Sequence, residues 1–180
     1  MPFQVRLATA GDAALISAIG REAFYAAFSP YQTAEDMQMY LDASYYPAKL
    51  LVEIQDTKCR FLLLEEDHVP IGFAKIVASL PTENEGVDIF DKDVLTEKLM
   101  LISKIYLLPQ FAGKRIGHLL MDECCLIAQD EGYDGVWLCV WQQNERAIKF
   151  YEKYEFKKIG YTQFLLGKSL NDDFVMAKIF

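Results

Sequence analysis

The chain has 180 residues, with 18 Lys+Arg against 26 Asp+Glu, and a formal net charge of −8 at pH 7. That length suits a single domain over residues 1–180, long enough to bury roughly 70 % of its unfolded surface. A hydrophobic share of 52 % with 13 % aromatics excludes a disordered chain, and the acidic balance excludes a general nucleic-acid binder, which needs a basic face to neutralise phosphates. The imbalance is local. Up to Ser103 there are 8 basic and 16 acidic residues, and from Lys104 onwards 10 of each.

Phe3 to Ala8 reads as a strand, and Thr9-Ala10-Gly11-Asp12 supplies turn and cap chemistry for a helix. That helix carries Leu15, Ile16, Ile19, Ala23 and Ala27 at helical spacing and stops near Ser29-Pro30. Thr33 with Asp36 forms a capping-box pattern for a second helix, with Met37, Tyr40 and Leu41 on one face. Pro47 fits the first turn of a third, ahead of Leu50, Leu51 and Ile54. Arg60 to Glu65 and Ile71 to Ser79, joined by Glu66-Asp67-His68, predict a β-hairpin. Leu80 to Glu97 reads as an acidic loop with a helical turn near Asp93.

Leu99 to Leu108 is almost continuously apolar, the pattern of a strand buried on both faces. A helix is expected over 113–130, with Ile116, Leu119, Leu120 and Ile127 inward, then a strand over Gly135 to Trp141 and a helix over Asn144 to Tyr154. Phe156 to Tyr161 and Phe174 to Ile179 close the chain as strands around a turn containing Gly167. Alternating strands and helices with two hairpins predict an α/β fold with a mixed, mostly antiparallel sheet and helices on both faces.

Cys59, Cys124, Cys125 and Cys139 have no CxxC or zinc-finger spacing, so the expectation is free, mostly buried thiols, no metal site and a reducing compartment. Met1 to Ala10 lacks a basic segment followed by an apolar one, and no apolar run is long enough to span a bilayer. The chain is therefore expected to be cytoplasmic, without a membrane partner. The final hairpin, with Phe164 and Phe174 expected on its surface, leaves a homodimer open.

The chemistry is concentrated in two stretches. From Leu101 to His118 a strand runs through a glycine-containing turn straight into an amphipathic helix. Unpaired N–H groups and the helix dipole suit such a turn to a phosphate or pyrophosphate, and Lys114, Arg115 and His118 add donors. A plain strand–helix connection fits the same residues. A Walker A loop is excluded, because Leu108 stands where its first glycine belongs and Arg115 follows Lys114. A GxGxxG fingerprint is absent.

In the second stretch, Trp137 to Phe156, a strand ends at Trp141, Asn144 is placed as a helix N-cap, and Tyr151 lies two turns later on the same side. Together the stretches resemble the GCN5-related N-acetyltransferase (GNAT) superfamily. Asn144, Ala147, Tyr151 and Phe156 match its Asn-x-x-Ala-x-x-x-Tyr-x-x-x-Gly-Phe signature except for the glycine, and Pro109 to Gly117 matches its acetyl-CoA loop. A narrower similarity to bacterial spermidine/spermine N-acetyltransferases shows in Glu22-Ala-Phe24, Glu35-Asp-Met37, Trp137 to Trp141 and Met176-Ala-Lys178.

The resemblance implies a single GNAT domain with splayed middle strands, acetyl-CoA as cosubstrate, and direct attack by a neutral amine in a ternary complex. It implies that the backbone of Ile105, Tyr106 and Leu107 pairs with the pantetheine arm. The amides of Gly113, Lys114, Arg115, Ile116, Gly117 and His118 would hold the pyrophosphate. Asn144 would touch the cofactor, and Tyr151 would protonate the leaving thiolate, although its spacing also fits a core aromatic. Cys139 then reads as core rather than nucleophile.

Three departures stand out. Ala112 and Arg115 replace the usual Arg or Gln and Gly; Glu155 replaces the glycine before Phe156, which points to a left-handed conformation; and Ser103 or Lys104 stands for a central-strand glutamate. The usual base is thus missing, and a water chain near Glu22 or the Glu83–Asp93 loop could serve. The acidic first part of the chain suits a polycationic acceptor such as spermidine or spermine. A protein N-terminus, another small amine, or a non-catalytic acyl-CoA-binding regulator are the alternatives.

Overall fold

The computed structural model describes residues 3–180; Met1 and Pro2, the start of the segment read for a leader, lie outside these. In chain order the protein forms β1 (Phe3–Leu7), α1 (Ala13–Phe28), α2 (Ala34–Ser44), α3 (Pro47–Gln55), β2 (Cys59–Glu66), β3 (Val69–Val77), β4 (Asp88–Ile89), β5 (Leu99–Leu107), α4 (Gly117–Asp130), β6 (Gly135–Trp141), α5 (Glu145–Lys153), β7 (Lys157–Leu166) and β8 (Ser169–Ile179). The strands are hydrogen-bonded in the order β1-β2-β3-β5-β6-β8-β7-β4. β5 and β6 run parallel, while β1–β2, β4–β7 and β6–β8 are antiparallel. This is the expected mixed α/β architecture. Two compact units divide it: Met1–Ile76, Lys104–Cys124 and Leu166–Ser169 form one, and Val77–Ser103, Cys125–Leu165 and Leu170–Phe180 the other.

In the first unit α1 buries Ile16, Ile19, Ala23 and Phe24, α2 buries Met37 and Leu41, and α3 buries Leu50. Leu62, Leu63, Leu64, Ile71 and Phe73 of the β2–β3 hairpin complete this core. Each of these side chains except Ala23 contributes about 1.5–3 kcal/mol when removed from water. Leu51, beside Leu50 on α3, is exposed. The caps form as the sequence indicates. Thr33 Oγ1 accepts the Asp36 amide at 3.1 Å, and Asp12 accepts the Thr9 amide at 2.7 Å while Arg6 closes on it at 2.9 Å.

In the second unit Leu99, Trp137, Ile159, Val175 and Ala177 form the core, covered by Leu80, Val87, Ile89, Val94 and Leu95. The acidic loop is therefore anchored by its apolar residues, and Trp137 Nε1 donates to the Ser79 carbonyl at 2.7 Å. The loop also supplies β4, a two-residue strand that pairs Asp88 with Tyr161 and Ile89 with Gly160. Taken by unit rather than split at Ser103, the charge divides less sharply. The first unit has 10 basic and 12 acidic residues and the second 8 and 14, so the second carries most of the excess.

Several boundaries differ from expectation. α4 begins at Gly117 rather than 113, because Gly113 (φ 88°) and Arg115 (φ 61°) are left-handed and stop the helix extending backwards. β7 and β8 run longer than expected, their outer residues alternating between solvent and sheet. β5 is fully buried only at Leu99, Met100 and Ile102; Ser103 is exposed and the rest half-buried, so burial on both faces fails beyond its first half. Phe164 and Phe174 are half-buried rather than exposed. Among the described residues no helix is long and apolar enough to cross a membrane.

Candidate active site

The first unit holds the β5 segment and the turn leading to α4. Gly72 of β3 lets the two backbones approach closely there: a Cβ at Gly72 would stand 2.7 Å from the Tyr106 carbonyl and 2.6 Å from Leu107 Cδ2. The Leu108 amide donates to the Ile71 carbonyl at 2.8 Å. Ile105, Tyr106 and Leu107 are thus held straight and half-buried. The Tyr106 ring packs 6.0 Å from both Phe24 and Phe73.

After β5, Pro109 starts a single 3₁₀ turn in which Phe111 and Ala112 donate to Leu108 and Pro109 at 2.9 and 3.2 Å. The Lys114 amide donates to Phe111 at 3.3 Å, and Lys114 Nζ lies 5.0 Å above the Phe111 ring. Arg115 takes the left-handed conformation a glycine would supply, so its side chain is accommodated without rebuilding the turn. His118 Nδ1 bonds to the Arg115 carbonyl, pinning the first turn of α4. Ile116 is buried beneath, while Gly113, Lys114, Arg115 and His118 are exposed. Gly113 and Arg115 are left-handed ahead of a 14-residue helix, a backbone form found where amides are presented to anionic groups.

Lys104, on the same strand, is half-buried. Its Nζ donates to Tyr40 Oη at 3.3 Å and lies 5.0 Å from the Tyr45 ring. Desolvation, reinforced by Lys75 and Lys49, pulls it down to about 8. Glu53 pairs with Lys75 at 3.0 Å and with Lys49 at 3.6 Å. Glu22 is exposed on α1.

The second unit holds the other residues. Asn144 caps α5, its Oδ1 accepting the Ala147 amide at 3.1 Å, as its position in the sequence predicts. Tyr151 is buried two turns further along the same helix and packs its ring 5.8 Å from Phe156. Glu155 is left-handed, with φ 67°. On β6, Cys139 keeps a solvent-exposed edge and so is not a core residue. Its thiol is nevertheless pushed up to about 12, first by desolvation and then by Asp173. A thiol held protonated is no nucleophile. Asp173 on β8 is buried, and burial followed by Asp172 raises its carboxyl to about 7. The sequence offered a signal for Asp173: it alternates with Val175 and Ala177, the core face of β8. The ladder between β5 and β6 covers three pairs, Leu99↔Gly135 to Leu101↔Trp137, against seven between β6 and β8.

The structure therefore groups Ile105–Leu107 with Gly113–His118 in one unit, and Asn144 with Tyr151 in the other. Among the described residues no cluster of His, Cys, Asp and Glu could hold a metal ion.

Comparison with known proteins adds the family. Residues 21–156 match the acetyltransferase (GNAT) family. An uncharacterised N-acetyltransferase of Mycobacterium tuberculosis is 30 % identical over 167 residues, covering 93 % of this chain and 97 % of that protein. One from Lactobacillus delbrueckii subsp. lactis is 28 % identical, covering 89 % and 88 %. Among solved structures, a PaiA N-acetyltransferase from Thermoplasma acidophilum in complex with coenzyme A superposes with a TM-score of 0.77 at 22 % identity over the whole of both chains. Arabidopsis thaliana NAA60 in complex with acetyl-CoA gives 0.71 at 14 % identity over 99 % of each.

Proposed function

Because the chain belongs to the GNAT family and is an acetyl-CoA-dependent N-acetyltransferase, we propose that it acetylates a primary amine by direct attack in a ternary complex, with a polyamine such as spermidine or spermine as acceptor. The observation that carries the acceptor class is the acid excess of the second unit, where Glu83, Glu85, Asp88, Asp93 and Glu97 are exposed on one segment. Such a field concentrates cations near the protein.

In the proposed reaction, the Gly113–His118 amides and Lys114 hold the cofactor's pyrophosphate, and the Ile105–Leu107 backbone lines up its pantetheine arm. One amide of that strand polarises the acetyl carbonyl, aimed at charge that develops in the transition state. Asn144 touches the cofactor, and Tyr151 gives its proton to the departing sulfur. The experiment is a coenzyme A release assay over an amine panel. Spermidine and spermine should give the highest kcat/KM. An enzyme that ignores polyamines while acetylating a peptide N-terminus would replace this acceptor with the protein N-terminus, to which the second half of the panel is devoted.

A further inference from the structure

An acceptor ammonium must lose a proton before its nitrogen can attack a thioester, and the reaction proposed above assigns that proton to no residue. We propose that Asp173 is that base, its carboxylate accepting a proton from the ammonium of the acceptor. This rests on the acetyltransferase reading and deepens it.

Asp173 stands opposite Trp141, the last residue of β6, where the chain leaves the sheet. The Trp141 carbonyl accepts the Asn144 amide at 2.9 Å and the Asp172 carbonyl accepts the Gln142 amide at 3.0 Å, so the backbone around Asp173 is fixed on both strands. The side chain is only 7 % exposed, and its Oδ1 is sealed from solvent without a hydrogen-bond partner. A buried carboxylate oxygen is ordinarily bonded or paired. Oδ2, the other oxygen, is not sealed in this way, so an ammonium N–H that reaches it compensates a carboxylate whose Oδ1 has no donor.

The surroundings agree. Asp173, Val175 and Ala177 alternate along β8 and share a face with Trp137, Cys139 and Trp141 of β6. The acidic segment rides on this same face, since its Leu80, Val87 and Ile89 pack on the Trp137–Val175–Ala177 cluster. A cation drawn to that segment is thus drawn to the face that bears Asp173. The ionisable groups around it are few. Asp172 is adjacent and accepts from Gln163 Nε2 of β7 at 3.0 Å; Cys139 on β6 stays a thiol; Lys158 of β7 lies 4.3 Å over the ring of the next residue, Phe174. Burial and Asp172 bring Asp173 to about 7, where a base is both available and strong enough at neutral pH.

The step balances. Asp173 takes one proton from R–NH₃⁺; the freed lone pair of R–NH₂ forms the C–N bond to the acetyl carbon, and the C–S bond breaks. The thiolate is protonated, in the proposed scheme by Tyr151, whose phenol is restored by the second nitrogen proton. Ammonium and acetyl-CoA thus give acetamide, coenzyme A thiol and one proton, which Asp173 passes to solvent.

The test is the pH dependence of kcat/KM for wild type and Asp173→Asn, with carboxyl-¹³C aspartate titrated by NMR in both. Wild type should rise through an inflection near pH 7, well below the acceptor's own ionisation near ~10. Asp173→Asn should lose that inflection and about 100-fold or more in rate, with acetyl-CoA affinity unchanged by calorimetry. Asp173→Glu should keep the inflection. One ¹³C resonance should titrate near 7 and be missing from the Asn variant. If Asp173→Asn keeps both rate and inflection, or that resonance titrates in the ordinary carboxylate range in wild type, the proposal is overturned while the acetyltransferase reading stands. Wild type that binds acetyl-CoA and acetylates no amine overturns both.

Discussion

Tyr151 and Phe156 are joined twice: the Phe156 amide donates to the Tyr151 carbonyl at 3.1 Å, and their rings lie 5.8 Å apart. With Glu155 donating to Glu152 at 3.0 Å, this is a Schellman ending, and it needs a left-handed residue at position 155. Glu155 meets that need at φ 67° without glycine's freedom. A left-handed side chain costs about 1–2 kcal/mol, of which glycine returns part through its larger unfolded-state entropy. The Lys178 ion pair at 3.8 Å involves a largely exposed Glu155 and offsets little. Glu155→Gly should therefore stabilise the protein by about 0.5–1 kcal/mol in urea unfolding.

The same motif fixes the Tyr151 ring, so the hydroxyl can be removed without disturbing the helix end. Tyr151→Phe should lower kcat by about tenfold or more, the range of a lost proton donor, and leave acetyl-CoA affinity unchanged by calorimetry. Unaltered turnover would return Tyr151 to the role of a core aromatic.

Asp36 joins the start of α2 to the β7–β8 turn. Its carboxylate accepts the Lys168 amide at 2.5 Å and the Ser169 hydroxyl at 3.0 Å. Gly167, at φ 62°, leaves the space Asp36 occupies; a Cβ there would collide with the Asp36 backbone and side chain. Gly167→Ala should cost about 1–3 kcal/mol, combining strain and collision. The Lys168 amide, then Thr33, holds the Asp36 carboxyl below its ordinary value. A depressed folded value means the stabilisation is present above the unfolded value near ~4 and is lost as pH falls below it. Asp36→Asn should flatten the acid limb of Tm against pH.

Lys104 has the opposite sign. Burial pulls its ammonium down to about 8. Below 8 both folded and unfolded forms are protonated and the desolvation cost is present in full. Between about 8 and the unfolded value near ~10.4 only the unfolded chain binds the proton, so stability rises with pH. Lys104→Met should be more stable than wild type at pH 7, and the difference should shrink by pH 10, as read from chemical unfolding at both.

The helices and their caps were legible because their signals are local: Thr33 with Asp36, Pro47, and Asn144 all act within one turn. β4 was not, since Asp88 and Ile89 become a strand only by meeting Tyr161 and Gly160, more than seventy residues on. The start of α4 was misplaced because Arg115 reads as a good helix former and gives no local hint of its left-handed backbone. At the site, the Asn144–Tyr151 spacing and the Gly113–Gly117 turn were visible in the sequence. Asp173 carries one signal, its alternation with Val175 and Ala177, but it stands just before the strand expected over Phe174 to Ile179 and nothing local marks it as buried. Its burial depends on the seven-pair register of β6 and β8, a tertiary fact.

Catalytic transfer of acetyl to an amine can be read by mass spectrometry of purified protein incubated with acetyl-CoA and spermidine or spermine. N-acetylated polyamine should form one-for-one with coenzyme A over many turnovers. Tight acetyl-CoA binding with no acetylated product from these or any other amine would contradict it and leave a non-catalytic acyl-CoA-binding protein.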